Sequence, residues 1–261
     1  MANGSMSFNQ STVDPEDVKR HSKLAENWWD LNGPMKLLHV YNSVRVPFIR
    51  DGLVPPSTER TLTPLVNISI LDVGCGGGIL TEALAALGAK MTGVDASGEL
   101  IEVAKEHTNN NNDIIIKPTY YHTTIELIYH QQQHSEQFRN HYDAVVASEI
   151  IEHVADKELF VESCIKALKP GGFFFITTPS KTRFTQIFSI FFAENICGLI
   201  PKGTHQYDNL MTPDQLKLLL NKNNCPVEVT SGITFNPLTS RFSLTNSTRM
   251  TFAVKAVKNA N

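Results

Sequence analysis

Residues 70–78 read Ile-Leu-Asp-Val-Gly-Cys-Gly-Gly-Gly, and a second apolar run, Met91-Thr92-Gly93-Val94-Asp95, ends on an acid. The first run has the make-up of a buried strand. It passes into a glycine-rich turn and then into a helix-forming stretch, Ile79-Leu80-Thr81-Glu82-Ala83-Leu84. Glycine lets a backbone turn tightly and come close to a ligand. Asp95 lies 21 residues after Gly74, about where a nucleotide-binding α/β unit places the carboxylate that holds a ribose. The pairing predicts a site for an adenosine-containing cofactor.

The spacing narrows the cofactor. Dinucleotide sites use Gly-x-Gly-x-x-Gly, whereas the glycines here are Gly74, Gly76, Gly77 and Gly78. Asp72 stands two residues before the first of them. A carboxylate there repels a pyrophosphate and suits a cationic end, such as the ammonium and sulfonium of S-adenosylmethionine. A tight strand-to-helix turn without a ligand is the plain alternative. It leaves four glycines in five positions without a purpose. The stretch resembles motif I of the class I S-adenosylmethionine-dependent methyltransferases, with Asp95 as their motif II acid.

The bulk numbers are compatible with that. The 261 residues suffice for one large α/β domain. A net charge of −3 gives no polyanion-binding surface, so nucleic acid is not expected as a partner. Cys75, Cys164, Cys197 and Cys225 fit no metal spacing and no secreted disulfide framework. No apolar run is long enough for a transmembrane helix. Residues 11–20 carry Asp14, Glu16 and Asp17, so no presequence is visible there.

Alternation of apolar runs with helical stretches predicts a Rossmann-like α/β fold. The expected strands are 66–73, 90–95, 114–121, 143–148, 172–178, 226–233 and 248–256. The expected helices are 79–88, 98–107, 156–168 and 212–222. The last two strands follow one another without a helix. This predicts a seven-stranded, mostly parallel sheet with an antiparallel edge pair and helices on both faces. Residues 15–32 and 33–53 read as helical, so residues 1–55 are expected to cap the cofactor cleft and 56–261 to form the catalytic domain. The polar tracts Asn109–Asn112 and Gln131–Gln133 read as surface connections.

After the fourth strand comes Ser148-Glu149-Ile150-Ile151-Glu152-His153-Val154. A helical turn there would set Glu149, Glu152 and His153 at i, i+3 and i+4, on one face. Two carboxylates and an imidazole converging on one point can hold a divalent cation. The oxygen-rich set suits Mg²⁺, and the histidine leaves Mn²⁺ or Zn²⁺ open. A solvated turn with a capping acid is the plain alternative. Without a metal, His153 is the natural general base.

Several further segments point to one family. Trp28-Trp29-Asp30-Leu31 with Gly33, then Leu38-His39 and Asn42 before Arg45, resembles the N-terminal signature of the ubiquinone-biosynthesis O-methyltransferases. Ser148–Val154 matches their Glu-x-x-Glu-His segment, Leu168–Gly172 their turn before strand five, and Pro201-Lys202-Gly203-Thr204-His205 and Asn236-Pro237 a lid and a C-terminal loop of the family. The resemblance runs from Trp28 to the last strand. It departs at the Gln- and His-rich connection 128–141.

That resemblance implies methyl transfer from S-adenosylmethionine to a hydroxyl of polyprenylated catechols, a dihydroxy-polyprenylbenzoate and a demethylubiquinol. It implies cofactor contacts at Arg45, Gly74, Asp95 and Ser148, beside Asp72 and Gly76 as read from the glycine turn. It also implies metal ligands at Glu149, Glu152 and His153, with Glu149 and His153 serving catalysis. It implies a peripheral place on the matrix side of the mitochondrial inner membrane, beside other ubiquinone-biosynthesis proteins. A methyltransferase for another small acceptor, an idle member of a membrane assembly and a nicotinamide dehydrogenase are the rival readings. Glycine spacing and Asp72 oppose the last.

Residues 184–200 carry a helical apolar stripe, Phe184, Ile187, Phe188, Phe191, Phe192, Ile196 and Leu199, flanked by Lys181, Arg183 and Lys202. A helix packed on the sheet is the plain expectation. A prenylated substrate held in a bilayer favours a membrane-facing lid over about 181–205.

Overall fold

The computed structural model describes residues 12–54, 61–130, 135–182, 185 and 209–260. Helix α1 (Pro15–Ser22) starts behind the capping side chain of Asp14. A 3-10 turn (Ala25–Asn27) and α2 (Lys36–Leu53) follow. The helix expected over 15–32 thus ends ten residues early. The chain turns after Ser22 and lays Trp28 and Trp29 on the glycine loop, so tertiary packing of two indoles overrides local helix preference.

The core follows the alternation read from the sequence. Its elements are β1 (Ser69–Val73), α3 (Ile79–Ala86), β2 (Lys90–Asp95), α4 (Gly98–Asn110), β3 (Thr119–His122), α5 (Ile125–His130), α6 (Ser135–Phe138), β4 (Tyr142–Ser148), α7 (Lys157–Ala167) and β5 (Leu168–Pro179). Further along the chain come α8 (Pro213–Lys222), β6 (Val227–Asn236), β7 (Arg241–Thr245) and β8 (Thr251–Val257).

The strand order is β3-β2-β1-β4-β5-β8-β6-β7. Strands β1 to β5 are mutually parallel. Strand β8 runs antiparallel between β5 and β6, and β7 closes the edge as an antiparallel hairpin on β6. The sheet therefore has eight strands where seven were expected. The additional strand, β7, exposes three of its five residues and carries no buried apolar pattern that would announce it. The third strand is shorter than expected. Of the apolar run before it, Ile114 packs into the core while Ile115 is 87% exposed, so the run does not alternate as a strand would.

One face and the interior are filled by Leu71, Val145, Phe174, Phe252 and their neighbours, the other by Ile70, Leu84, Val146 and Phe175. Strand order reverses between β1 and β4, and α/β sheets open a ligand crevice beyond the carboxyl ends of the strands at such a point. Among the described residues no helix is long and apolar enough to cross a membrane. The stripe over 184–200 and the Pro201–His205 segment fall almost wholly outside the described residues, so the lid expectation is not addressed by the fold.

Candidate active site

A cavity of about 610 Å³ opens at that crevice, and every site residue read from the sequence lines it: Arg45, Asp72, Gly74, Gly76, Asp95, Ser148, Glu149, Glu152 and His153. Helix α1 and the chain up to Trp28 form its roof.

The glycine loop starts where β1 ends. The amides of Gly74 and Cys75 both donate to the Val94 carbonyl, which ties the loop to β2. Gly74, Gly76 and Gly78 have φ of 73°, 53° and 90°, the left-handed region that side chains resist. Packing adds a second cause. A Cβ on Gly76 would lie 2.5 Å from the Trp28 ring, and one on Gly77 2.4 Å. The indole of Trp29 donates to the Gly77 carbonyl at 2.9 Å and stacks on His107 at 3.4 Å. The loop is thus glycine-rich partly because two indoles lean on it, a cause that the plain strand-turn-helix alternative lacked.

Asp95 caps the end of β2. Its Oδ2 accepts from the Gly76 amide and its Oδ1 from the Ser97 amide, both at 2.8 Å. Burial raises its pKa against those two bonds. Asp72 is 2% exposed and accepts from the Thr81 hydroxyl at 2.6 Å. Burial pushes its carboxyl up to about 6.

Arg45 comes from α2 and is buried. Its Nη1 donates to the Ser148 hydroxyl at 3.0 Å, and its Nη2 to the Leu38 carbonyl at 3.0 Å and Asn42 Oδ1 at 2.7 Å. The guanidinium lies 4.9 Å over the Tyr41 ring. Its Nε and the indole nitrogen of Trp28 are buried donors with no partner. Buried donors rarely stay unpaired, and each costs about 1–3 kcal/mol. Two of them lining one cavity fit a ligand that carries a strong acceptor.

The acidic segment departs from its expectation. Glu149 sits in the left-handed region at φ 56°, and only Ile151–His153 form a 3-10 turn. The helical i, i+3, i+4 rule therefore does not apply, and the three side chains do not gather at one point. Glu149 accepts from the Tyr41 hydroxyl at 3.4 Å, Glu152 from Thr178 at 3.0 Å, and His153 Nδ1 lies 3.1 Å from Asp17 Oδ2. Among the described residues no three His, Cys, Asp or Glu side chains are set to hold an ion together.

Burial raises the pKa of both glutamates, and the Glu152 charge raises Glu149 further. Burial pulls the His153 pKa down, but the Asp17 hydrogen bond and the Glu152 charge carry it above the ordinary histidine value. A left-handed non-glycine residue costs of the order of 1–3 kcal/mol and tends to persist at functional sites.

Asp17, His21, Tyr41 and Thr177 escaped the sequence reading. Asp17 and His21 share a helical face, and the Asp17 carbonyl is 2.9 Å from His21 Nδ1. The His21 ring meets His153 edge-on at 5.5 Å. The i, i+4 spacing of Asp17 and His21 was visible. Their contact with His153, more than 130 residues away, was not.

Fold and cavity together define an S-adenosylmethionine-dependent methyltransferase. A family model described as a methyltransferase domain matches residues 49–229. The structure resembles that of a magnesium protoporphyrin IX methyltransferase from Synechocystis with a TM-score of 0.61, at 16% identity, over 95% of this chain and 98% of that one. The chain belongs to the family of ubiquinone biosynthesis O-methyltransferases. It is 40% identical to the mitochondrial enzyme of Rattus norvegicus over 95% of this chain and 70% of that protein. It is 39% identical to that of Homo sapiens over 97% and 67%, and 35% identical to that of Pelagibacter ubique over 95% and 100%.

Proposed function

We propose that this protein methylates a hydroxyl of polyprenylated catechols in ubiquinone biosynthesis, a dihydroxy-polyprenylbenzoate and a demethylubiquinol among them. The observation that carries this reading is the sharing of one cavity. Gly74 and Gly76 of the glycine loop, Asp95, Glu149, Glu152 and His153 all line it.

S-adenosylmethionine supplies an electrophilic methyl on a sulfonium. Asp95, whose oxygens keep lone pairs beyond the Gly76 and Ser97 bonds, takes the ribose hydroxyls. Asp72 faces the cationic methionine end, and Arg45, carrying Ser148 on its Nη1, faces the carboxylate. In the transfer the acceptor oxygen bonds to the methyl carbon as the sulfur–carbon bond breaks, and the hydroxyl proton leaves. Asp17 fixes His153 through Nδ1, which frees Nε2 to receive that proton. The cavity roof holds the acceptor in line and keeps water out.

Glu149, Glu152 and His153 are of the residue types that can ligate a divalent cation, but in this structure they turn to Tyr41, Thr178 and Asp17 and do not converge. To hold one, Mg²⁺ by its match to oxygen ligands, Glu149, Glu152 and His153 would have to be drawn together, with His153 then a ligand in place of the base. Such an ion would acidify the catechol hydroxyls and orient both oxygens. Exhaustive chelation, followed by Mg²⁺ re-addition, tests this. The proposal expects transfer to fall and recover, with the melting curve of the protein unchanged. Full activity after chelation leaves His153 as the base alone.

The mitochondrial names of the relatives support work in the mitochondrion. An acceptor whose tail resides in the bilayer favours peripheral attachment to the inner membrane; the matrix side and contact with other ubiquinone-biosynthesis proteins are part of the same proposal.

A further inference from the structure

We infer that Trp28 is a cofactor-binding residue, its indole N–H donating to the carboxylate of the methionine end. The inference rests on the reading that S-adenosylmethionine lies with that end over Gly74–Gly78.

Trp28 is 6% exposed, and its Nε1 is buried without a partner although the ring lines the cavity. The neighbouring Trp29 differs, since its Nε1 is satisfied by the Gly77 carbonyl. The position of the Trp28 ring is set by the protein. The Trp28 carbonyl is 3.1 Å from His39 Nε2, and the ring packs with Ile79 and Leu100. A Cβ on Gly77 would fall 2.7 Å from the indole nitrogen itself, so that nitrogen stands directly beside the loop. At the methionine end the ammonium and sulfonium are cations, and the carboxylate is the one strong acceptor. A carboxylate has about four acceptor positions, enough for Trp28 and for Arg45, the other buried donor left unpaired in the same cavity. Trp28 thus reads the carboxylate from the loop side and Arg45 from the α2 side.

The chain has two tryptophans, so its ¹⁵N–¹H spectrum holds two indole signals, and a Trp29→Phe spectrum assigns them. Titration of the wild-type protein with S-adenosylmethionine should move the Trp28 indole proton downfield and leave Trp29 nearly in place. Decarboxylated S-adenosylmethionine should bind without that downfield shift. Trp28→Phe keeps the ring and removes the donor. It should weaken S-adenosylmethionine by about tenfold or more, the usual worth of a hydrogen bond to a charged group, and leave the decarboxylated analogue unaffected. An unmoved Trp28 signal at saturation, or equal shifts with both ligands, overturns the inference while the cofactor reading stands. Failure of the wild type to bind either ligand overturns both.

Discussion

Asp72 gives the proposed cofactor site its expected pH dependence. Buried beneath the loop with Thr81 as its hydrogen-bond partner, its carboxyl titrates near 6. Its pKa is raised above the unfolded value. The folded protein therefore holds a proton that the unfolded chain lacks between about 4 and 6, and stability falls as pH rises through that window. Cofactor binding runs the other way, because an ammonium favours the ionised acid. Affinity for S-adenosylmethionine should fall as pH drops below 6, approaching about tenfold per unit. Binding should release a proton, and Asp72→Asn should flatten the profile. Calorimetry in buffers of different ionisation enthalpy measures both effects. A pH-independent affinity in the wild type would remove Asp72 from the cofactor's surroundings. At this scale the sequence was informative where chemistry is local. Asp72, Gly74, Gly76 and Asp95 fall within 24 residues of one another, and all four line the cavity. The partners of His153 and Glu149 were illegible because Asp17 and Tyr41 reach them only through the folding of the N-terminal helices.

Helix α1 shows what an element adds. It begins after Val13, which bridges Val154, and Thr12, whose carbonyl accepts from the Ala155 amide at 2.8 Å. It passes His153 through Asp17 and ends with Ser22, whose hydroxyl lies 2.8 Å from that of Ser97 on the far side of the crevice. The helix buries no residue fully and depends on these tethers. A ligand beneath it should hold it down. Hydrogen exchange of Pro15–Ser22 should slow on addition of S-adenosylhomocysteine, while the β6–β7 hairpin should exchange at an unchanged rate. Equal protection of both, or of neither, would contradict α1 as the roof of the cofactor site. The sequence predicted a helical cap, but not that it would break at Ser22 to deliver two indoles. It also missed β7, whose exposed residues lack the alternation that marks a half-buried strand.

For the whole molecule, the parallel core with its crevice between β1 and β4 was legible, because alternating strand and helix patterns leave few topologies. The insertion of β8 between β5 and β6 was not, since sheet order depends on contacts remote in sequence. The proposed membrane face rests on the apolar stripe of residues 184–200. Phe188→Glu with Phe192→Glu should release the protein from cardiolipin-containing vesicles in flotation and spare cofactor binding. Equal flotation of both proteins would place the stripe elsewhere. The central claim is that one cavity joins the sulfonium cofactor to a prenylated catechol. Transfer of labelled methyl to a short-chain prenyl catechol, with the product identified by mass spectrometry, tests it most directly. The account predicts saturable monomethylation of a hydroxyl. It predicts the loss of that activity in His153→Ala, and its weakening in Asp95→Ala through a cofactor affinity lower by about 1.5–3 kcal/mol. A wild-type protein that binds S-adenosylmethionine yet leaves the catechol unmethylated would contradict it.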